Sequence, residues 1–345
     1  MNFKKMILPA ALIAFGATLS TAAENATENI SLKANVQTQG SKMFDDEDNN
    51  LSSFWFRANV GAQYKSENLD GQVMLRIFAP EFGNTIEGKA YDKISADLYW
   101  ANYKWALNDN NKLNLKFGHW KTNWSESSFF GTYIDVPLTS RGLESSDKAL
   151  NGAEFGWGFG ISQLNVMLAT TDSKWNTGYL RVEEDLKFSF PLTLNLAYRV
   201  NALDNVQNTT YTTHRFAAKA AYEIAKKFRV YGELAVLTTS EDDDVNVNAA
   251  NYVNTQDGYL KPGETYVPFY VGVEIPTPIL DHLYAEVEYV KDRDQLSSKQ
   301  PDADDLGWAL TLVKNAGKAK VQFGVYSGEK VSDVGVASRV SVNFN

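Results

Sequence analysis

The sequence predicts an all-β chain that closes into a transmembrane, antiparallel up-and-down β-barrel of about sixteen strands. Three observations carry the prediction. Beyond residue 23 the chain alternates apolar and polar residues in segments of about ten, the period of a strand with one face on lipid and one on water. The connections between those segments alternate short and long. No run beyond residue 23 approaches the ~20 apolar residues that a membrane-spanning helix needs.

Composition narrows the alternatives. The 345 residues are 44% hydrophobic, 13% aromatic and 22% charged, with nine prolines, no cysteine and a net charge of −9. So much apolar and aromatic residue is foreign to a disordered chain, and without cysteine there is no disulfide scaffold or thiolate metal site. An acidic balance without a basic block argues against nucleic acid as a partner. The mean hydropathy is negative despite the aromatics. Half-lipid, half-water strands produce that combination.

Residues 1–23 read as a cleaved signal peptide: Lys4 and Lys5, the apolar stretch Met6 to Leu19, then small residues ending at Ala22 and Ala23. This leaves 24–345 as a single barrel domain. Its expected strands are 30–38, 54–65, 72–79, 95–107, 112–121, 152–161, 163–171 and 178–189. The series continues through 192–201, 213–224, 228–238, 266–275, 283–291, 305–313, 318–326 and 333–344. Short connections follow the even strands, as at 66–71, 108–111 and 314–317. Longer ones follow the odd strands, as at 39–51, 122–150 and 239–265. An up-and-down barrel with tight turns at one rim and long loops at the other has this order by construction.

The apolar face sorts by depth. Phe54 and Phe56 sit at one end of the second strand and Tyr64 at the other; Phe216 and Tyr222 bracket Ala218 and Ala220 on the tenth. Aromatics at both ends of an aliphatic middle form interfacial girdles. Two acids disturb the pattern. Alternation sends Asp97 outward on the fourth strand and Glu184 outward on the eighth, where a bulge or register change is expected to turn the carboxylate away.

Two stretches then tie the pattern to a family. The last strand, Val334 to Phe344, is similar to the terminal strand of outer-membrane barrels, with Asn345 added beyond the usual aromatic end. Leu115-Lys116-Phe117-Gly118-His119-Trp120-Lys121-Thr122 resembles the strand that leads into the third loop of porins. The chain thus resembles the sixteen-stranded Gram-negative outer-membrane porins over nearly all of its mature length. The resemblance implies a third loop, here 122–150, that folds into the lumen. It also implies passive diffusion of small hydrophilic solutes and ions, with no enzyme activity, cofactor or metal. Its partners would be outer-membrane lipid, lipopolysaccharide and the insertion machinery that reads the C-terminal strand. Homotrimers are usual in the family. A non-channel barrel acting as anchor or adhesin, and a carbohydrate-selective channel, stay open as alternatives.

In such a barrel the interior is too wide for side chains to fill, so function is read from inward residues. Lys33, Arg57, Arg76, Lys116 and Arg339 form a basic side of the lumen, and Glu223, Glu233, Glu274, Glu286 and Glu288 an acidic side. The third loop adds Glu126, Asp135, Glu144 and Asp147 against Arg141. The sharp expectation is a transverse field between the basic side and the loop acids; the plain one is a wet lumen of locally paired charges. Inward Gly152, Gly156, Gly158 and Gly160 suggest a bare wall against which the loop packs. Inward aromatics such as Trp55, Trp100, Trp120, Tyr231 and Tyr270 suggest a sugar track or packing under the loop. Glu286 and Glu288 share a face as a glycosidase pair would, but a charged pore wall explains them better. The acidic runs 45–48 and 241–244 lack the spacing of a calcium loop and read as a solvated rim.

Overall fold

The computed structural model describes residues 29–44, 53–79, 94–122, 124–135, 138, 141–143, 149–170, 178–206, 209–225, 228–239, 253–255, 258–260, 263–295 and 302–344. The proposed signal peptide, the acidic runs, Glu144 and Asp147 lie outside them, as does Asn345.

Sixteen antiparallel strands form one closed sheet. They are β1 Ile30–Met43, β2 Ser53–Lys65, β3 Leu69–Ala79, β4 Ile94–Asn108, β5 Asn111–Lys121, β6 Ala149–Phe159, β7 Ser162–Thr170 and β8 Gly178–Lys187. After them come β9 Leu192–Val206, β10 Thr209–Ala225, β11 Phe228–Thr239, and a β12 made of two pieces, Thr265–Tyr266 and Phe269–Pro276. The last four are β13 His282–Tyr289, β14 Leu306–Ala316, β15 Ala319–Ser327 and β16 Val334–Phe344. Each strand pairs with the next, and β1 pairs both with β2 and with β16, from Ala34↔Phe344 to Met43↔Gly335. Closure leaves no unpaired edge, the condition a sheet must meet in lipid.

The interruption in β12 falls at Val267-Pro268, where proline has no N–H to give; Ala235 N still donates to Pro268 O at 3.0 Å. Several strands run further than alternation alone suggests. β9 and β10 extend to Val206 and from Thr209, so the connection expected between residues 201 and 213 is much shorter. The long connection after β11 carries a separate small hairpin, Val253–Thr255 with Gly258–Leu260.

Both misfit acids resolve physically. The β3–β4 register shifts between Met74 and Leu75, leaving Asp97 as the extra residue of a bulge. Its carboxylate pairs with inward Arg76 instead of facing outward. Glu184 is different: the β7–β8 register is regular through Leu164↔Glu184, with no bulge. It faces outward near the short-turn end of β8, and Ser162 Oγ donates to its Oε1 at 2.8 Å.

The outward face carries exposed Val60, Leu168, Leu196, Leu234 and Val271, with aromatic pairs towards both rims. Tyr103 and Trp105 (5.6 Å between centroids), Trp157 and Phe159 (4.7 Å) and Phe188 and Phe190 (5.1 Å) lie at the short-turn end, called lower below. Tyr198 and Phe216 (4.5 Å) and Phe269 and Tyr289 (5.6 Å) lie at the upper end. This sorting predicts a depth-dependent response. Leu234→Arg, mid-strand on β11, is expected to lower stability by about 2–4 kcal/mol, and Tyr222→Arg at the lower girdle by about 0–1. Urea unfolding in lipid vesicles measures both, and equal losses would contradict the lipid-facing assignment.

Candidate functional site in the barrel lumen

The lumen is divided by the segment that follows β5. Its described residues, 124–135, 138 and 141–143, turn inward and bury Trp124, Phe129, Phe130, Tyr133, Ile134, Leu138 and Leu143 against the inner walls of β9 to β16. Local chemistry shapes it. Ser127 Oγ accepts from the N–H groups of Phe129 and Phe130, at 3.0 and 2.7 Å. An isolated bridge joins Phe130 to Arg141, and Gly142 N donates to Phe129 O at 2.9 Å.

An irregular backbone inside a barrel has no ladder to satisfy it, and each buried polar group left unpaired is costly. Charged side chains of the wall take the ladder's place. On the basic side, Arg199 Nη1 donates to Ile134 O at 2.6 Å and Arg339 Nη1 to Leu143 O at 3.1 Å. Arg215 donates to Tyr133 O, and Lys219 to Trp124 O. On the acidic side, Glu286 Oε1 accepts from Ser128 N at 2.9 Å, and Glu233 Oε1 from Tyr133 N at 2.7 Å. Glu288 Oε1 accepts from the Tyr133 hydroxyl at 3.0 Å. Burial, with Glu288 and Glu233 nearby, pushes the Tyr133 phenol well above its ordinary pKa and keeps it a donor.

One arrangement explains where the loop docks. The register places Arg181 of β8 opposite Arg199 of β9, and Arg199 opposite Arg215 of β10. Three guanidiniums in one row repel unless an anion answers them. Asp135 of the loop does: its Oδ2 accepts from Arg181 Nη1, its Oδ1 lies 3.9 Å from Arg199 Nη1, and Thr122 Oγ1 donates to Oδ2 at 2.7 Å. Asp135, Arg181 and Arg215 are wholly buried. Lower down, Glu126 pairs with Lys219 at 3.4 Å and with Arg229, which also reaches Glu274 at 2.9 Å; Glu274 is 2.8 Å from His282 Nδ1. Glu288 holds Arg141 at 3.3 Å and Arg293, from the β13–β14 connection, at 2.6 Å.

These contacts redraw the expected map. Glu233, Glu286 and Glu288 are at most 2% exposed, so they anchor the loop and do not line water. Glu126 and Asp135 meet cations of β8 to β11, not the basic row of β16 and β1 to β5, so the transverse field from loop to that row does not form through them. Among that row, Arg57 and Arg339 share the Gln37 Oε1 acceptor at 2.6 and 2.9 Å and flank Trp55. Lys116 lies 4.9 Å from the ring centres of both Trp100 and Trp120 and faces Glu154 across the register. Arg76 is taken by Asp97, and Lys33 lies opposite Gly61 towards the lower end. Glu223 is exposed at the lower rim opposite Arg229.

The glycine expectation is corrected too. A Cβ on Gly152 would meet Leu168 O and Ala169; on Gly156, Asn114 and Asn165; on Gly158, Gln163; and Gly160 lies in the open turn at φ +57. All these neighbours belong to β5 and β7. The loop instead approaches Gly307, where a Cβ would lie 2.3 Å from Arg141 Nη2, and Gly324, 2.9 Å from Leu143 Cδ2. Accordingly, Gly324→Leu is expected to displace the Leu143 end of the loop and change single-channel conductance, while Gly156→Leu leaves the loop in place. Tyr231, Tyr266 and Tyr270 are likewise buried under the loop, not displayed along a track.

Opposite the docked loop, the lower inward wall of β4 to β9 carries half-buried Asn102, Asn114, Gln163, Asn165, Asp185 and Asn195. Asn114 Nδ2 donates to Asn102 Oδ1 at 3.2 Å and Gln163 Nε2 to Asn165 Oδ1 at 3.0 Å, leaving donors and acceptors for water.

Solved structures share this architecture. The fold is that of a porin. Three substituted variants of the porin of Rhodopseudomonas blastica align over 91% of this chain and 100% of their own, at 14–15% identity and TM-scores of 0.54, 0.53 and 0.53. No family model matches the chain, and no curated protein matches it by sequence. The likeness to these porins is therefore one of closed sheet and strand order.

Proposed function

We propose that the protein is an outer-membrane channel for passive diffusion of small hydrophilic solutes and ions, with residues 124–143 as its fixed constriction. The observation that carries this reading is the asymmetry of the lumen. One wall is covered by a loop anchored through buried charges, and the other presents amides and half-buried polar groups to water. A sixteen-stranded barrel leaves a channel that side chains cannot fill, and a loop held by buried charges narrows it. The same reading takes residues 1–23 as an export signal and 24–345 as the mature, non-enzymatic barrel. N-terminal sequencing of the membrane-inserted protein is expected to begin at residue 23 or 24. Planar-bilayer recording of the purified protein tests the function directly. Discrete ohmic steps are expected; heat-modifiable barrel protein that never conducts would favour the anchor or adhesin reading. Homotrimeric assembly remains an expectation of the family resemblance, read by mass in detergent.

A further inference from the structure

We propose that the cavity between the loop and the lower walls of β11 to β16 is a binding subsite for a small, hydroxylated monocarboxylate; the proposal rests on the channel reading and names a solute class for it. The cavity holds about 340 Å³ and lies between Glu126, Ser127, Ser128 and Leu143 of the loop and Arg229, Tyr284, Val313, Lys320, Gln322 and Arg339 of the wall. That volume suits a hexose-sized molecule, and the lining is mostly polar.

Charge selects the sign. Arg229 is shared between Glu126 and Glu274, and Arg339 between Leu143 O and Gln37. Lys320 makes no hydrogen bond or ion pair with any described residue. The register sets it opposite Ser341 and diagonal to Arg339, which lies opposite Gln322. Diagonal inward neighbours are within reach of long side chains. No carboxylate of β14, β15 or β16 faces this corner, because the inward positions around Lys320 are Asn315, Gln322, Arg339 and Ser341. Glu274 of β12 acts on Lys320 from across the corner but is already paired with Arg229 and lies 2.8 Å from His282. The one carboxylate in the lining, Glu126, already serves Arg229 and Lys219 and would repel a dianion. A single negative charge is favoured.

The second, independent sign of a ligand is Gln322. It is more than nine-tenths buried, borders the cavity, and its amide makes no hydrogen bond to a described residue. An amide offers both donor and acceptor, the pair that a hydroxyl group satisfies. A carboxylate at Lys320 and Arg339 with hydroxyls towards Gln322 completes the polar groups of the cavity.

Single-channel recording in KCl with added galacturonate or galactose, alike in size and hydroxyl pattern, tests this. Galacturonate is expected to interrupt the current from the lower side and galactose not. In Lys320→Gln the galacturonate residence time should fall about tenfold, the loss of one charge-assisted hydrogen bond. Lys112→Gln removes a charge from the same end of the lumen without touching the cavity and should retain the discrimination. Equal interruption by both sugars, unchanged residence in Lys320→Gln, or an equal loss in Lys112→Gln overturns the site. Absence of any conductance overturns the channel reading alone. Calorimetry of galacturonate on the detergent-solubilised protein then decides the site: binding weakened by Lys320→Gln upholds it, and no binding overturns it.

Discussion

Asp135→Leu is expected to release the loop and raise single-channel conductance with the barrel still closed. The substitution removes the loop carboxylate that pairs with Arg181 and lies near Arg199, and leaves an apolar side chain against two buried guanidiniums, of which Arg181 keeps Glu183 of its own strand. Breaking a buried pair on one side costs about 3–5 kcal/mol, because the surviving charge stays desolvated. Here the row holds a third arginine, Arg215, whose partner Tyr133 O is also on the loop. The row regains solvent as water enters and the loop leaves. The sixteen-strand ladder does not pass through Asp135, so heat-modifiable mobility should persist. Two readouts check the result: larger, noisier conductance steps, and protease cleavage within 124–143 of the membrane-inserted protein. Wild-type conductance together with protease resistance would show that the loop's apolar contacts and its remaining polar anchors hold it without Asp135. Asp135→Asn is a milder companion, since it keeps the Thr122 contact and loses the charge, and an intermediate effect is expected.

Most of the barrel was legible in the chain because alternation and closure depend on local pattern. Phe54, Phe56 and Val60 on one face with Arg57 and Asn59 on the other admit one orientation once lipid is outside. Legibility ended where partners are chosen. Asp97 shares its outward parity with Ala101, and nothing local announces a bulge; the bulge exists because Arg76 stands across the sheet. Glu184 is the converse case, left outward because it lies close to a rim and Ser162 is beside it. Arg181, Arg199 and Arg215 each fall inward by simple parity, but only the register sets them in a row. Without that row, parity alone offers the loop acids two basic walls, and the one on β16 to β5 is the more evident in the sequence. The glycines misled for the same reason. The bare inner wall of β6 adjoins the loop in sequence, whereas Gly307 and Gly324, far along the chain, receive Arg141 and Leu143. Lys320 and Gln322 became visible only as what the docked loop leaves unpartnered.

Deleting the loop segment tests how far the walls were built for it. With 124–143 replaced by a short Gly-Ser linker, conductance is expected to rise several-fold and thermal stability to fall. Seven buried apolar side chains leave with the segment, and each contributes roughly 1.5–3 kcal/mol of burial before entropy is counted against it. The uncovered wall should also change selectivity in a specific direction. Arg181, Arg199, Arg215 and Lys219 on β8 to β10 lose Asp135, Glu126 and the loop carbonyls. Glu233, Glu286 and Glu288 on β11 and β13 lose Ser128, Thr132 and Tyr133, while Glu286 keeps Tyr231 and Glu288 keeps Arg293. Arg181 likewise keeps Glu183 of its own strand. The departing segment takes Glu126 and Asp135 with it against Arg141, a net loss of negative charge from the lumen, so the open channel should become more anion-selective as well as wider. Reversal potentials in a KCl gradient read this directly. A wider channel with unchanged selectivity would mean that the arginine row collapses onto neighbouring carboxylates once water enters. A channel no wider than the wild type would place the narrowest point elsewhere in the barrel, and with it the limit on solute size.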